Sequence, residues 1–586
     1  MLSLSLRRAG SAGALVLFSL AAAAQESLPF PLEPVSDQGP DGALELLPNV
    51  ERLSTLAALD SVVFEGVPLP GGRQIDLRLT RVPMPSISGV LVDGAPAELN
   101  ATDLTVWRGR IDGSTGSEVM LGLSRYGSRG WISEAGEVVH LTCGPDENGD
   151  WSEAPCEMWT ESALNAHGMQ LENYCTELLP GEGNELRPVP VQERHDSEPT
   201  TIGLGSPTQL LCRIAIETDY QLFQEFGDLT AEQVYMQTLL AAISDRYLQQ
   251  IQTRIEYPYL AFYTNNNDPW VTNDLDPEAS SGALLGEFRS AWAGSPFPGD
   301  AHLAHLISGE GSGGVAYVGV LCSNNWGFAV SGSINGNVNF PVSQAPFNWD
   351  FIVIAHELGH NYGTSHTHNY CPPIDECPSE QYWGACQDER ICINNGTIMS
   401  YCHTCSGGTG NITTFFHPEV VTVMRAGAEN SCLPIDIQST TFCDASDGSL
   451  SACPCGQGNP NSGCETAQSS GGVELDFVAQ SSGVSNAATF VGMGFPATAA
   501  PAVVVIRSSE VEATPLIFGD GLRCVGTPVV RMSGRVAIGG SSTHTLGHGD
   551  FAGSGRFYYQ LWYRNTPAMF CSPDAFNLSN GRTLDW

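Results

Sequence analysis

The feature that most constrains this chain is the stretch from residue 356 to 366, which reads His-Glu-Leu-Gly-His-Asn-Tyr-Gly-Thr-Ser-His. His356 and His360 are four residues apart, so on a helix their imidazoles share one face and can bind one zinc ion. Gly363 can adopt the positive φ that ends a helix, and the turn would bring His366 back as a third ligand. Three protein ligands and one open position are the arrangement of a catalytic zinc, whereas structural sites are closed by four. The sequence therefore predicts a catalytic zinc site.

Glu357 directly follows the first histidine of this motif. Its carboxylate would lie beside the metal rather than on it, where it can take a proton from metal-bound water. We therefore predict Glu357 as the catalytic general base, with His356, His360 and His366 as the zinc ligands.

The pattern His-Glu-x-x-His-x-x-Gly-x-x-His resembles the long zinc-binding consensus of the metzincin metallopeptidases, whose second mark is a Met-turn downstream. Residues 396–401 read Gly-Thr-Ile-Met-Ser-Tyr, so Met399 is the predicted Met-turn methionine. The closer resemblance is to the reprolysin-like branch, which contains the ADAM, ADAMTS and snake-venom metalloproteases. There a similar stretch precedes the zinc helix, and here residues 314–322 read Gly-Val-Ala-Tyr-Val-Gly-Val-Leu-Cys. The resemblance implies a zinc metalloendopeptidase that acts on proteins or peptides.

Tyr401 lies two residues after Met399. In the astacin-like and serralysin-like metzincins a tyrosine at this offset reaches the zinc, whereas reprolysin-like proteases commonly lack it. The resemblance therefore implies a phenol that binds the resting zinc or donates a hydrogen bond to the developing oxyanion. The alternative is a buried wall residue whose hydroxyl finds a backbone partner.

The first 24 residues have the order of a cleavable secretory signal, with Arg7 and Arg8, an apolar run at residues 14–20, and three alanines before Gln25. The apolar run is too short to span a bilayer, and no later segment offers about 20 consecutive apolar residues. We therefore predict a secreted, extracellular protein without a membrane span. The 18 cysteines of an exported chain are typical of disulfide bonds.

The formal net charge is −39, from 25 basic and 64 acidic residues. Nucleic acids and anionic membrane surfaces attract basic patches, so neither is expected as a partner. A soluble acidic surface accounts for this charge, and bound calcium or a saline habitat is the alternative.

A chain of 586 residues exceeds what one hydrophobic core usually serves, so we expect a multidomain protein. Short β-like runs broken by Gly and Pro predict a β-rich region at residues 25–180. Within it, residues 107–111 read Trp-Arg-Gly-Arg-Ile, which resembles the propeptide of the reprolysin-like proteases and implies a zymogen. Residues 181–207 lose hydrophobic periodicity and gather Pro, Gly, Glu and Asp, which predicts an exposed linker with the processing site. A plain connector between domains is the alternative.

Residues 208–434 alternate strand and helix patterns, which predict an α/β domain with a mostly parallel sheet packed on helices. The resemblance implies the metzincin architecture for it, with an upper sheet-and-helix subdomain, a cleft, and a smaller lower subdomain after His366. A helix predicted from Thr230 to Ile251 begins with a capping box. Residues 327–334 are predicted as an edge strand.

Six cysteines between residues 371 and 405 lie in a stretch with little periodic apolar sequence, so we expect disulfides to stabilise it. A second zinc site made of these thiols, including those in Cys402-His403-Thr404-Cys405, is the alternative. By resemblance to the reprolysin-like family, Cys322 is expected to pair with Cys432.

Cys143 and Cys156 are close enough in sequence to bridge each other, which leaves Cys175 as the cysteine nearest the linker. Reprolysin-like precursors often carry there a thiol that occupies the open zinc position, so the resemblance implies Cys175 as a zymogen thiol. Thr176 follows it, where the family's motif has Gly. A disulfide from Cys175 to Cys212 is the alternative.

Residues 435–470 predict a cysteine-rich hinge, and residues 471–586 read as short strands divided by turns, the pattern of a β-sandwich. Aromatic residues from Tyr558 to Tyr563 could stack on a sugar or a peptide, or form the inner face of a strand. The alternative function is therefore an inert protease-like scaffold whose C-terminal β domain binds a glycan or a cell surface. The intact Glu357 and its three histidines favour the enzyme.

Overall fold

A computed structural model describes most of the chain between residues 26 and 585. The described residues are 26–35, 42–100, 102–167, 175–178, 192–193, 209–272, 281–311, 313–336, 346–436, 439–443, 453–456, 458, 461–467, 471–480, 487–495, 500–547, 556–565, 570 and 574–585. The predicted signal at residues 1–24 and most of the predicted linker at 181–207 lie outside them. Within the described ranges, no helix is both long and apolar enough to cross a membrane.

The N-terminal region folds into a ten-stranded sheet. Its strands are β1 (Glu26–Pro29), β2 (Leu32–Pro34), β3 (Leu44–Pro48), β4 (Ser61–Pro68), β5 (Gln74–Arg81), β8 (Thr105–Ile111), β9 (Ser117–Leu123), β10 (Arg129–Glu134), β11 (Glu137–Cys143) and β12 (Cys156–Thr160). In space they follow the order β1-β4-β5-β8-β9-β10-β11-β12-β3-β2, and every pair except β1 with β4 is antiparallel. Along β5, Ile75, Leu77 and Leu79 are buried and their neighbours are not, the alternation of a strand with one covered face.

A second sheet has eight strands, five of which come from residues 210–331. Its strands are β6 (Val90–Val92), β7 (Ala95–Ala97), β13 (Thr176–Leu178), β15 (Leu210–Thr218), β16 (Thr253–Phe262), β17 (Leu303–Ile307), β18 (Gly314–Tyr317) and β19 (Phe328–Ser331). They follow the order β13-β18-β19-β17-β15-β16-β6-β7, with only β18–β19 and β6–β7 antiparallel. The predicted mostly parallel sheet is confirmed. A short strand β14 (Gln192–Glu193) pairs with β20 (Tyr370–Cys371).

The edge strand predicted at residues 327–334 is wrong. Strand β19 occupies residues 328–331 and lies between β17 and β18, inside the sheet. Its four residues are all buried, which a strand covered on both sides and paired at both edges requires. The outer position at this end of the sheet belongs to β13, which pairs with β18.

Seven α-helices accompany these sheets in the described residues. They are α1 (Val50–Leu56), α2 (Glu161–Ala166), α3 (Tyr220–Phe226), α4 (Leu229–Ile251), α5 (Ser281–Trp292), α6 (Phe347–Asn361) and α7 (Pro418–Glu429). The predicted capping box at Thr230 is wrong, because α4 begins one residue earlier. Asp228 is its N-cap, and the Asp228 carboxylate accepts a hydrogen bond from the Ala231 N–H at 2.9 Å.

In the described residues after position 438, the regular elements are β-strands, arranged in three small sheets. The largest contains β21 (Ser439–Cys443), β24 (Ala502–Ser508), β27 (Val530–Val536), β29 (Arg556–Arg564), β30 (Phe576–Leu578) and β31 (Gly581–Asp585). The second contains β22 (Glu474–Gln480), β23 (Ala487–Met493) and β28 (Ser541–Gly547), and β25 (Val511–Phe518) pairs with β26 (Gly521–Val525). Leu475 and Phe490 of the second sheet share one core with Val505, Tyr559 and Tyr563 of the first. The two sheets therefore pack face to face.

Seven disulfides join described cysteines. They are Cys143–Cys156, Cys322–Cys432, Cys371–Cys386, Cys377–Cys402, Cys392–Cys405, Cys443–Cys524 and Cys453–Cys464. The expected Cys322–Cys432 bridge is confirmed. A thiol zinc site around residues 402–405 is wrong, since both cysteines there are oxidised. Cys175 and Cys212 are free and buried, so the alternative bridge between them is absent.

Candidate active site

Helix α6 presents the first two histidines of the motif. Every residue of this helix is buried, which is typical of a helix inside a core. The imidazole rings of His356 and His360 lie 4.8 Å apart between centroids. The prediction that they share one helical face is confirmed.

A tight turn then brings the third histidine back. Gly363 has a φ of 102°, and its N–H donates to the carbonyl oxygen of His360 at 2.8 Å. A residue with a Cβ is strained at this φ, so glycine suits the position. After the turn, Nε2 of His366 lies 3.2 Å from Nε2 of His360. One ring nitrogen from each of His356, His360 and His366 lies within 4.8 Å of the others.

Backbone carbonyls set the tautomers of two of these histidines. Nδ1 of His356 lies 2.7 Å from the carbonyl oxygen of Ile398, and Nδ1 of His360 lies 2.8 Å from that of Thr364. Because a carbonyl only accepts, each Nδ1 carries the proton and donates it, which leaves the Nε2 lone pair facing the common point. Neither carbonyl contact was predicted, since the motif gives no signal for it.

The three imidazoles are suited to hold a metal. Burial lowers the pKa of His360 to about 4 and the pKa values of His356 and His366 well below their usual range, so all three are neutral at physiological pH. Nε2 of His356 is buried and has no hydrogen-bond partner among the described residues. Three neutral nitrogens facing one point, one of them without a partner, fit a zinc ion.

Met399 lies under helix α6, where the Met-turn was predicted. It is fully buried, and a Cβ added to Gly359 would lie 2.8 Å from its sulfur. The carbonyl oxygen of Met399 accepts hydrogen bonds from the N–H and hydroxyl of Thr367, at 3.0 and 3.1 Å. The carbonyl of Ile398 contacts His356, and the carbonyl of Met399 contacts Thr367. The Met-turn is therefore hydrogen-bonded to the first histidine of the motif and to the residue that follows the third.

The stretch from Gly314 to Cys322 holds the end of α6. The N–H groups of Gly319 and Val320 donate to the carbonyl oxygens of His360 and Asn361, at 2.9 and 3.0 Å. These carbonyls belong to the last turn of the helix and have no partner within it. The stretch therefore fixes the helix end at the second histidine.

Glu357 is fully buried beside the histidines and faces β18. A Cβ added to Gly314, the first residue of β18, would lie 2.3 Å from Oε1 of Glu357. Only a glycine leaves the room that this carboxylate occupies.

Cys175 lies at the same place. Its sulfur belongs to a group with a ring nitrogen of His356 and a carboxylate oxygen of Glu357, all within 4.8 Å of one another. Burial raises the pKa of the Cys175 thiol well above its usual value, and the hydrogen-bonded carboxylate of Glu357 raises it further. Directly after it, β13 pairs in parallel with β18 in the register Thr176–Val315. Cys175 thus enters the histidine group from the edge of the sheet.

Tyr401 is also part of the group and is only 2% exposed. Its hydroxyl donates a hydrogen bond to the carbonyl oxygen of Cys175 and lies 3.2 Å from Nε2 of His366. The backbone partner matches the alternative of a wall residue, whereas the contact with His366 matches a phenol at the metal position.

Two further histidines lie near the site: His368, which was not predicted, and His403, which was named only within the alternative thiol zinc site. The ring of His368 stacks on His366 with centroids 5.1 Å apart, and His403 packs 4.5 Å from Trp349 of α6. Burial lowers the pKa of His368 to about 3, so the ring is neutral. His368 lies two residues after His366 in the sequence, and this short spacing could have identified it as a neighbour of the site.

Residues 208–416 match the model of metallo-peptidase family M12. The match supports a metallopeptidase. A comparison with curated proteins finds no match. A solved structure, the metalloproteinase-II from Bacteroides fragilis, aligns with 54% of this chain and 85% of its own chain, at 9% identity and a TM-score of 0.30. That score is too low to support a conclusion about the fold.

Proposed function

We propose that the chain is a secreted zinc metalloendopeptidase of the reprolysin-like type, made as a zymogen, which hydrolyses peptide bonds of proteins. The convergence of three histidine nitrogens with Glu357 beside them carries the proposal. The family M12 match over residues 208–416 supports the metallopeptidase chemistry. In this proposal residues 25–180 are the propeptide and residues 208–434 the catalytic domain.

His356, His360 and His366 would hold the zinc ion, which supplies a Lewis acid and an activated water when bound. Glu357 would take the proton of the attacking water and return it to the leaving amine nitrogen. Tyr401 would donate its hydroxyl proton in a hydrogen bond to the oxyanion that develops on the scissile carbonyl. The buried surroundings strengthen both interactions, since water does not screen them.

The outer side of β18 is the proposed docking edge for the substrate. In the structure β13 occupies this side through backbone pairing. An extended substrate peptide would add to the same row of N–H and C=O groups, the usual mode of strand addition. Substrate and β13 would therefore exclude each other.

This exclusion supports latency of the intact chain. The sulfur of Cys175 is buried at the histidine group and reaches both His356 and Glu357. A thiolate is a strong zinc ligand and would take the position of the catalytic water. Cys175 is therefore proposed as the zymogen thiol, and its removal from the site as the activating step.

Glu357→Gln tests the proposed chemistry directly. We expect the processed variant to keep zinc, measured by elemental analysis, and to lose about 10²- to 10⁴-fold in casein cleavage, the usual contribution of a general base. Chelation should abolish wild-type cleavage, and added zinc should restore it.

The matched control is Glu380→Gln, at an exposed glutamate of the same domain. It should keep both zinc content and activity. Near-normal cleavage by the Glu357 variant would refute the general-base assignment. Activity of a wild-type protein that contains no zinc would refute the proposal that zinc is required.

A further inference from the structure

We propose that the N-terminal region, residues 26–167, stays bound as a permanent subunit after processing. Activation then displaces only the segment around Cys175 from the histidine group, and this segment remains joined to the N-terminal region. The inference rests on the proposed function, in which water adds across one peptide bond within residues 181–207 and leaves a new carboxylate and a new amine. The inference is argued from the contacts between residues 26–167 and the histidine-bearing part of the chain.

The hairpin β6–β7 completes the eight-stranded sheet. β6 pairs in parallel with residues 260–262 of β16. On either side of this pairing, the N–H of Tyr257 donates to the carbonyl oxygen of Ser86 and the N–H of Asp93 donates to that of Phe262, both at 2.9 Å. Without the hairpin, β16 would present an edge of unpaired backbone groups, which folded proteins avoid.

The ten-stranded sheet covers helices α4 and α6. Trp131 of β10 is fully buried, with its ring centroid 5.8 and 5.0 Å from those of Phe347 and Phe351 in α6. Gly122 of β9 lies so close to α4 that an added Cβ would be 2.2 Å from Cγ2 of Thr238. Loss of the N-terminal region would expose the apolar side of the helix that carries two of the histidines.

Buried and half-buried charged side chains take part in the same contact. Nε of Arg129 donates to the carbonyl oxygen of Gly336 at 2.8 Å, and Arg129 is only 2% exposed. Glu118 forms an ion pair with Arg246 of α4 and accepts a hydrogen bond from the hydroxyl of Thr414. These polar contacts therefore join side chains of residues 26–167 to groups of the histidine-bearing part of the chain.

The contact also reaches the region beyond the zinc motif. Glu161 of α2 accepts hydrogen bonds from the N–H and the hydroxyl of Thr409, at 3.0 and 2.6 Å, and lies 2.5 Å from Nε2 of His140. All three residues are buried. The N-terminal region is therefore held by the parts of the chain on both sides of the histidines.

The segment around Cys175 is attached in a different way. β13 has three residues and pairs with β18, at the opposite edge of the sheet from β6. The edge that must open for a substrate is therefore not the edge that the hairpin completes. The blocking segment can leave while the hairpin stays.

The test uses the full chain with the recognition sequence of a site-specific protease placed within residues 181–207. After complete cleavage, seen as two bands on a denaturing gel, size-exclusion chromatography with light scattering gives the native mass. We expect one peak that holds both fragments in equal amounts and has the mass of the uncut chain. Two separate peaks would overturn the inference.

Peptide cleavage is assayed across the same column fractions. Activity that travels with a free C-terminal fragment would overturn the inference. An intact two-fragment complex that stays inactive would overturn the claim that activation requires only displacement of the segment around Cys175. If the uncut Cys175→Ala chain were inactive as well, the proposed enzymatic function would fail instead.

A variant pair tests whether the named contacts hold the fragments together. Glu118→Ala removes the ion pair with Arg246, whereas Glu51→Ala changes an exposed residue of α1. In a urea series on the cut protein, we expect the Glu118 variant to separate at a lower concentration than wild type, and the Glu51 variant at the same concentration. Equal separation of both variants would overturn the inference.

Discussion

The hydroxyl of Tyr401 donates a hydrogen bond to the carbonyl oxygen of Cys175 and lies 3.2 Å from Nε2 of His366. One side chain thus contacts both the histidine group and the segment that enters it. Its substitution should therefore have opposite effects before and after processing.

Tyr401→Phe keeps the ring and its packing but deletes the hydroxyl. In the processed enzyme we expect kcat and kcat/KM to fall together, by the equivalent of about 2.7–4 kcal/mol, because one oxyanion donor is lost. In the precursor we expect faster activation, because the segment at Cys175 loses a hydrogen bond. Steady-state kinetics and a processing time course measure the two effects, with zinc content unchanged. Wild-type kinetics in the processed variant would assign Tyr401 to packing alone.

Cys175→Ala should give an uncut chain with more peptidase activity than the uncut wild type but less than the processed enzyme, because the sulfur no longer blocks the metal position whereas β13 still competes with the substrate for β18. Cys212→Ala is the matched control, since Cys212 is the other free, buried cysteine among the described residues. The control should remain inactive until it is processed. A peptide-cleavage assay on both uncut variants measures this, and equal latency in the two would refute Cys175 as the blocking group.

Two helical glycines should respond oppositely to alanine. Gly359→Ala places a Cβ 2.8 Å from the sulfur of Met399, so we expect a loss of about 1–3 kcal/mol in unfolding free energy from overpacking. We also expect weaker zinc binding, because the displaced turn holds His356. Gly286→Ala in α5 meets open space and should gain about 0.5–1 kcal/mol. Urea unfolding and a zinc competition assay measure both, and similar changes in the two variants would contradict the packing argument.

Glu217 should make stability depend on pH. Burial, with a smaller contribution from the nearby Asp268, raises the pKa of this carboxyl to about 8. Between its ordinary pKa of 4.5 and about 8, the folded chain keeps a proton that the unfolded chain releases. The unfolding free energy therefore falls as pH rises through this window, by up to about 1.4 kcal/mol per pH unit, and levels off above it.

Glu217→Gln should remove this part of the slope, since an amide does not titrate. Its Oε1 can still accept the hydrogen bond that Tyr259 donates to Glu217 at 3.0 Å. We expect the variant to be more stable than wild type at pH 8 and similar to it at pH 4.5. Burial also raises the pKa of Asp219 to about 7, so a weaker slope of the same sign remains. Urea unfolding of both proteins at several pH values measures the difference, and parallel curves would contradict it.

The spacing of neighbouring residues was enough to predict the histidine group. Two histidines four residues apart share a helical face whatever surrounds the helix, and a glycine three residues later can make the turn at Gly363. The same holds for strands such as β5 and for most of α4, where alternation or helical spacing of apolar residues identified the element. The start of α4 was placed wrongly because Asp228 and Thr230 are both good cap residues, and local chemistry does not choose between them.

Tertiary structure decided which distant segments meet. Tyr401 and Cys175 are 226 residues apart, and no local pattern relates them. The position of β19 inside the sheet, and the hairpin β6–β7 at its far edge, likewise depend on which strand edges find partners. Hydrophobic periodicity records that a residue is buried but not what covers it, because apolar burial has no direction. The chain therefore determined its histidine group locally, whereas the contacts that would block that group and cover its helix arose only from the packing of the whole molecule.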